Sequence, residues 1–222
     1  MTDPGTLYIF VDIETTGLDH HEDHLLEIGA ISTLGDLEPG GTFHGVTRLP
    51  AGWSPRDPES WPIDEVVRDM HTVSGLLADV AAQPPSAPDE DDLVDAWLDW
   101  AVDELDKAGA DRMIIAGSGV AVFDVPWLRA RADPILEWPF SYRTLDLSPV
   151  RMLLGLAGIH THLDASSGPT KAHRALDDAQ AHLAEAHLII DTLRRMAQAD
   201  TVLGAQIDNQ DGPHANPPGG EL

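Results

Sequence analysis

Cysteine is absent from the 222 residues, which excludes disulfides, thiolate metal sites and cysteine nucleophiles. Lysine is almost absent. Lys107 and Lys171 are the only two, and Lys plus Arg total 13 against 38 Asp plus Glu, for a net charge of −25 with the histidines neutral. Holding a long nucleic acid needs clustered Lys and Arg to neutralise its phosphates, so a broad basic binding surface is excluded. A nucleic-acid partner would have to be short, or be held through metal ions and a few arginines. Long apolar runs are missing as well. No segment approaches the roughly 18 residues of a membrane span, and the start MTDPGTLYIF lacks a basic n-region and a long apolar h-region. The expectation is a soluble, intracellular, cytoplasmic protein with no membrane partner.

What is present is an ordinary apolar fraction, 42%, in a length that suits one domain with extensions. Leu7 to Ile13 is a short apolar run broken only by Asp12, as a buried strand would be. Leu25 to Thr33 and Thr42 to Thr47 read as two more strands, and three in succession point to an antiparallel meander. Leu49 to Pro62 reads as loop. Ile63 to Val80 has helical spacing interrupted at His71-Thr72-Val73-Ser74-Gly75, which predicts two short helices. After the breaker run Gln83 to Pro88, Asp89 to Asp92 offer N-cap chemistry to a long amphipathic helix ending near Gly109. Met113 to Ala116 is a brief strand, Phe123 to Arg131 a helix, Arg143 to Leu147 a further strand, and Ala175 to Ala197 the strongest helix. The composition then turns to Gly, Pro, Asn and Asp without periodicity. The expected organisation is one domain over 1–198, insertion-like at about 48–62 and 83–110, followed by a disordered tail over 199–222. Strands followed by alternating strands and helices make a mixed α/β layer fold.

The chemistry concentrates in three places. Asp12 and Glu14 lie two residues apart on a predicted strand, where side chains alternate, so both carboxylates point to one face. They repel each other unless positive charge lies between them, and a divalent cation such as Mg²⁺ or Mn²⁺ is suited to carboxylate oxygens. Asp124 follows Gly117-Ser118-Gly119 beyond a strand, near the strand end where open α/β sheets bind ligands. His173 lies just ahead of the last helix and Asp178 in its first turns. These acids in combination with one neutral imidazole suit a two-metal site in which histidine takes a proton from water. Asp177 adjoins Asp178, but one helical step rotates a side chain by about 100°, so only one of the two can face the cations.

The string FVDIETTGL, the acid in VFDVPWL and the His-x-Ala-x-x-Asp of HRALDD resemble the three motifs of the DEDDh 3′–5′ exonucleases. That resemblance implies a ribonuclease H-like fold, a mixed sheet flanked by helices. It also implies two Mg²⁺ or Mn²⁺ ions on Asp12, Glu14, Asp124 and Asp178, with His173 as the base. Within that superfamily the chain is most similar to oligoribonuclease, through His71-Thr72-Val73-Ser74-Gly75-Leu76 and Tyr142-Arg143-Thr144-Leu145-Asp146-Leu147-Ser148. The resemblance implies that Leu18 presses on a base, that His71 and Ser74 lie at the substrate, and that Tyr142 and Arg143 cap its terminal phosphate, from the second subunit of a homodimer. A guanidinium binds phosphate bidentately, and one such cap suits a very short ligand.

The chain departs from that pattern in two respects. The tryptophan that oligoribonucleases carry five residues before the motif histidine is Val66 here, with Trp53 or Trp61 as substitutes; stacking on an aromatic contributes about 1–3 kcal/mol per base. The Gly-Asn-Ser before the motif-two acid is replaced by the longer Gly117 to Val122, so that Phe123-Asp124 looks like proofreading exonucleases. The leading expectation is a 3′–5′ exonuclease of short single-stranded oligonucleotides, RNA above all, releasing nucleoside 5′-monophosphates. The alternatives are a proofreading or repair exonuclease of single-stranded DNA, and a non-catalytic nucleotide-binding module. Elsewhere, His20 to His24 read as a solvated turn, Glu27 as a structural acid hydrogen-bonded near the site, and Trp97 and Trp100 as core or dimer contacts. Lys171 and Arg174 are the remaining candidates for phosphate contact.

Overall fold

The computed structural model describes residues 5–159 and 173–210, with side chains as far as 198. Five strands, β1 (Thr6–Thr15), β2 (Leu25–Thr33), β3 (Pro39–Val46), β4 (Arg112–Gly117) and β5 (Phe140–Asp146), form one sheet in the order β3-β2-β1-β4-β5. β1 to β3 are the antiparallel meander; β4 runs parallel to β1, and β5 to β4. The sheet is therefore mixed, as expected. Its helices are α1 (Glu65–Val73), α2 (Leu76–Ala82), α3 (Glu90–Ala108), α4 (Asp124–Arg131), α5 (Leu147–Leu156) and α6 (Ala175–Gln210).

Strand alternation divides β1 between two cores. Leu7, Ile9, Val11 and Ile13 face α3 and α4, packing with Leu93, Trp97, Trp127 and Leu128. Phe10 faces the other way, onto Ala179, Leu183 and Ala186 of α6 and Leu147 and Leu154 of α5. Asp12 and Glu14 share the parity of Phe10, so both lie on the α6 side of the sheet. A third cluster joins Leu26 to Trp61, Leu76 and Val80 beneath α2.

The 83–110 stretch is integral to the fold. Asp89 caps α3 by accepting the N–H of Asp92 at 3.0 Å, Gly109 closes it in the left-handed conformation, and the apolar face between them is buried in the main core. Trp97 is wholly buried and stacks on Phe140 at 5.1 Å; its truncation to Ala would cost about 3–5 kcal/mol. Two elements differ from expectation. α5 was not foreseen; it starts where Asp146 accepts the N–H of Ser148 at 3.0 Å, and Pro149 fits its first turn. α6 runs on to Gln210, through residues assigned to the tail; 211–222 lie outside the described residues.

Candidate active site

Pairing between β1 and β4 ends at Phe10 and Ala116. Beyond that point β1 stays paired to β2 and β4 to β5 but not to each other, and a cleft of about 340 Å³ opens between their C-terminal ends, where parallel strands present ligand sites. Asp12, Glu14, Asp124 and His173 line it, with Leu18, Val67, Met70, Phe123 and Ser118. Each polar group comes from a different device. Asp12 and Glu14 arrive by strand alternation. Asp124 opens α4 and accepts the N–H of Ile13 at 3.1 Å, an amide that β4 no longer pairs. Asp178 is buried in the first turn of α6, while Asp177 is exposed, as helical rotation requires.

The start of α6 is held from β2. Glu27, with no exposed surface, accepts from Arg174 Nε at 3.0 Å and Nη2 at 2.9 Å, from the N–H of Ala175 at 3.0 Å and from His44 Nε2 at 2.6 Å. Burial alone would raise its pKa; the guanidinium, the helix amide and the imidazole outweigh that and hold it below the ordinary value. Gly29, opposite Asp12 in the ladder, makes the approach possible: a Cβ there would lie 2.1 Å from the backbone nitrogen of Leu176. Glu27 thus has the structural part expected of it. Arg174 also pairs with Asp79 at 2.8 Å, so its guanidinium is committed to anchoring and not to phosphate. His173, immediately before this anchor, has φ of 47°, a left-handed conformation that non-glycine residues seldom hold. Lys171 lies outside the described residues.

Donor atoms of Glu14, His173 and Asp178 lie within 4.8 Å of one another, close to the span of ligands around a single cation. Carboxylate oxygens with one imidazole are a donor set that a hard or borderline divalent ion accepts. The residues present therefore fit the metal chemistry expected of them.

An exonuclease family model, RNase_T, matches residues 9–48. The chain is 31% identical over 183 residues to the oligoribonuclease of Cutibacterium acnes, covering 81% of this chain and 82% of that one. It is 34% identical over 179 residues to the oligoribonuclease of Streptomyces avermitilis, covering 80% and 82%. The chain belongs to the oligoribonuclease family. Its fold is also that of Escherichia coli exonuclease I: a zinc-bound complex of that enzyme with single-stranded DNA superimposes with a TM-score of 0.64 at 16% identity, over 87% of this chain and 42% of that one. The chain is a 3′–5′ exonuclease acting on short oligonucleotides, and its family and fold imply use of a divalent metal.

Set against the family pattern, the expected substrate contacts divide. Leu18 projects from the cleft rim, 83% exposed. His71 does not face the cleft. It is wholly buried behind Glu14, with Nε2 on the carbonyl of Thr15 at 2.8 Å and Nδ1 3.9 Å from Glu14 Oε2; burial, more than the neighbouring His173, lowers its pKa. Ser74 caps the turn between α1 and α2, with Oγ 3.2 Å from the carbonyl of His71. Tyr142 and Arg143 lie exposed on β5, the edge strand, and outside the cleft; Arg143 Nε donates to the Tyr142 hydroxyl at 3.0 Å. Trp53 and Trp61 cannot replace the missing tryptophan. Trp61 is buried under α2 and Trp53 packs on it and on His24, so the aromatic that lines the cleft is Phe123. Trp97 is core, and Trp100 packs on Phe43.

The His20 to His24 turn is also built internally. His24 Nδ1 and the N–H of Leu25 both meet Glu90, which Arg131 bridges in turn. Two groups were missed from sequence. Ser118 lines the cleft and is held by Arg151 Nη2 at 2.9 Å, and His182, one turn after Asp178, lies 3.9 Å from Asp12. The i to i+4 spacing was the available signal for His182.

Proposed function

We propose that this exonuclease degrades oligoribonucleotides of a few residues to nucleoside 5′-monophosphates, working in the cytoplasm as a homodimer. Two divalent cations, Mg²⁺ or Mn²⁺, would be held by Asp12, Glu14, Asp124 and Asp178. When bound they supply positive charge to the attacking and leaving oxygens of the scissile phosphodiester. His173 takes a proton from water; the water oxygen bonds to phosphorus, the bond to the 3′-oxygen breaks, and that oxygen takes a proton from solvent as it leaves.

The observation that carries this reading is the convergence of acids from β1, α4 and α6 with His173 at one end of the sheet. The neighbouring surfaces divide the remaining work. Leu18, Val67, Met70 and Phe123 offer an apolar wall to a base, while Asp12 and Glu14 exclude phosphate unless a cation is between. Arg143 has no described carboxylate partner and lies outside its own cleft, so its phosphate cap serves a second copy. Met152, Leu153 and Leu156 of α5, 69%, 66% and 84% exposed and directly following β5, supply the apolar face such a dimer would bury. Exonuclease I is crystallised on single-stranded DNA, and with the proofreading-like Phe123-Asp124 this supports a second reading, a DNA exonuclease. Product release from RNA and DNA of equal short length decides between them: faster RNA cleavage is the expected result, and faster DNA cleavage would replace the proposal with the second reading.

A further inference from the structure

α6 presents one stripe to the sheet, and its lower part is apolar: Ala179, Leu183, Ala186 and Ile189 are buried around Phe10. His182 interrupts that stripe. It is 8% exposed, and a buried imidazole costs free energy unless polar or charged groups meet its nitrogens. Its Nδ1 faces Asp12 Oδ1 at 3.9 Å, too far for a hydrogen bond and within the reach of a small rotation of either side chain. Asp12 comes from β1 and His182 from α6, so the pair joins the two elements that carry three of the four acids.

We propose that His182 is a positioning residue for Asp12. Its Nδ1–H holds one carboxylate oxygen and leaves the other presented to the cleft, so that Asp12 meets a cation already oriented. The inference rests on the cation reading above. Hydrogen bonds that fix a ligating side chain in this way typically change metal affinity by about 10–100-fold. A histidine that merely filled space would not change it.

The test is Mn²⁺ binding to the full chain, read from the electron paramagnetic resonance signal of the free ion. It compares the unsubstituted protein with His182→Leu, His182→Asn, Asp12→Asn and the combination of His182→Leu with Asp12→Asn. His182→Leu weakens binding by about tenfold or more with the metal-free melting temperature kept. His182→Asn, whose amide nitrogen occupies the place of Nδ1, restores most of it. On Asp12→Asn the Leu change has no further effect, because the coupling partner is gone. Unchanged Mn²⁺ binding in His182→Leu, or binding as weak in His182→Asn as in His182→Leu, overturns the proposal and leaves the cation reading standing. If His182→Leu loses its fold, His182→Met, of similar volume and likewise without a donor, takes its place in the same comparison with His182→Asn. Failure of the unsubstituted chain to bind Mn²⁺ overturns the cation reading itself, and the proposal with it.

Discussion

The inner strands and the β5 edge handle polar residues in opposite ways. On β2 and at the starts of α4 and α6, acids are buried and held by the frame: Asp124 on a strand amide, Glu27 on a guanidinium, a helix amide and an imidazole, and Asp178 in the first turn of α6. On β5 and α5, Tyr142, Arg143, Met152 and Leu156 are exposed, and the one hydrogen bond of the Arg143 side chain described is to its neighbour's hydroxyl. A site that must hold several like charges within a few ångströms needs a rigid frame. A surface that meets substrate and a second subunit can be left open until it is covered.

Breaking the inner region should cost most. Asp12→Ala is expected to lower turnover by more than about 100-fold, beyond the loss from a residue that only supports a ligand, while the chain stays folded because mutual repulsion is removed. Steady-state rates in Mg²⁺ with a melting curve check this, and normal rates would refute the assignment of Asp12. Gly29→Ala comes next. The new methyl meets the backbone of Leu176, so α6 must shift; overpacking of this kind costs about 1–3 kcal/mol, and a shifted Asp178 should lose activity in excess of that instability. Denaturant unfolding beside the rate separates the two effects.

The edge should respond differently. Arg143→Ala removes a charge-assisted contact of about 1.5–3 kcal/mol, so KM for a 5′-phosphorylated dinucleotide should rise by roughly tenfold or more with kcat little changed. Leu156→Asp should leave the fold intact and produce monomers in sedimentation, with the same KM defect as Arg143→Ala if the cap is delivered across the interface. The smallest effect is on acid stability. Glu27 and Glu90 both have pKa values held below 4.5, against the effect of burial, by their cationic and amide partners. Their contribution is complete above that value and is lost as pH falls through the lowered folded-state values. Urea unfolding between neutral pH and pH 3 should therefore lose stability below about 4.5, and Glu90→Gln should flatten that loss.

The inner region was also the more legible in sequence. Strand alternation placed Asp12 and Glu14 on one face, helical rotation allowed only one of Asp177 and Asp178 to face the site and the motif spacing of the family resemblance selected Asp178, and the meander followed from three apolar runs. The edge was not legible, because its meaning depends on what covers it. α5 was overlooked although Asp146 and Pro149 signalled its start; the strand reading of Arg143 to Leu147 took the capping residue as its own. His71 looked like a substrate contact because the motif carries no burial, and only the fold shows Glu14 in front of it. Glu27 and Gly29 were legible as strand residues, but their hold on α6, some 150 residues later in the chain, was not.

The most direct test is product release from 5′-labelled RNA and DNA, two to about twenty nucleotides long as ordinary probes of length preference, with Mg²⁺ or Mn²⁺ and with His173→Ala alongside. The account predicts cleavage strongest on the shortest RNA, dependent on the cation and nearly abolished in His173→Ala. Cleavage that survives His173→Ala, or that proceeds without a divalent cation, would contradict it.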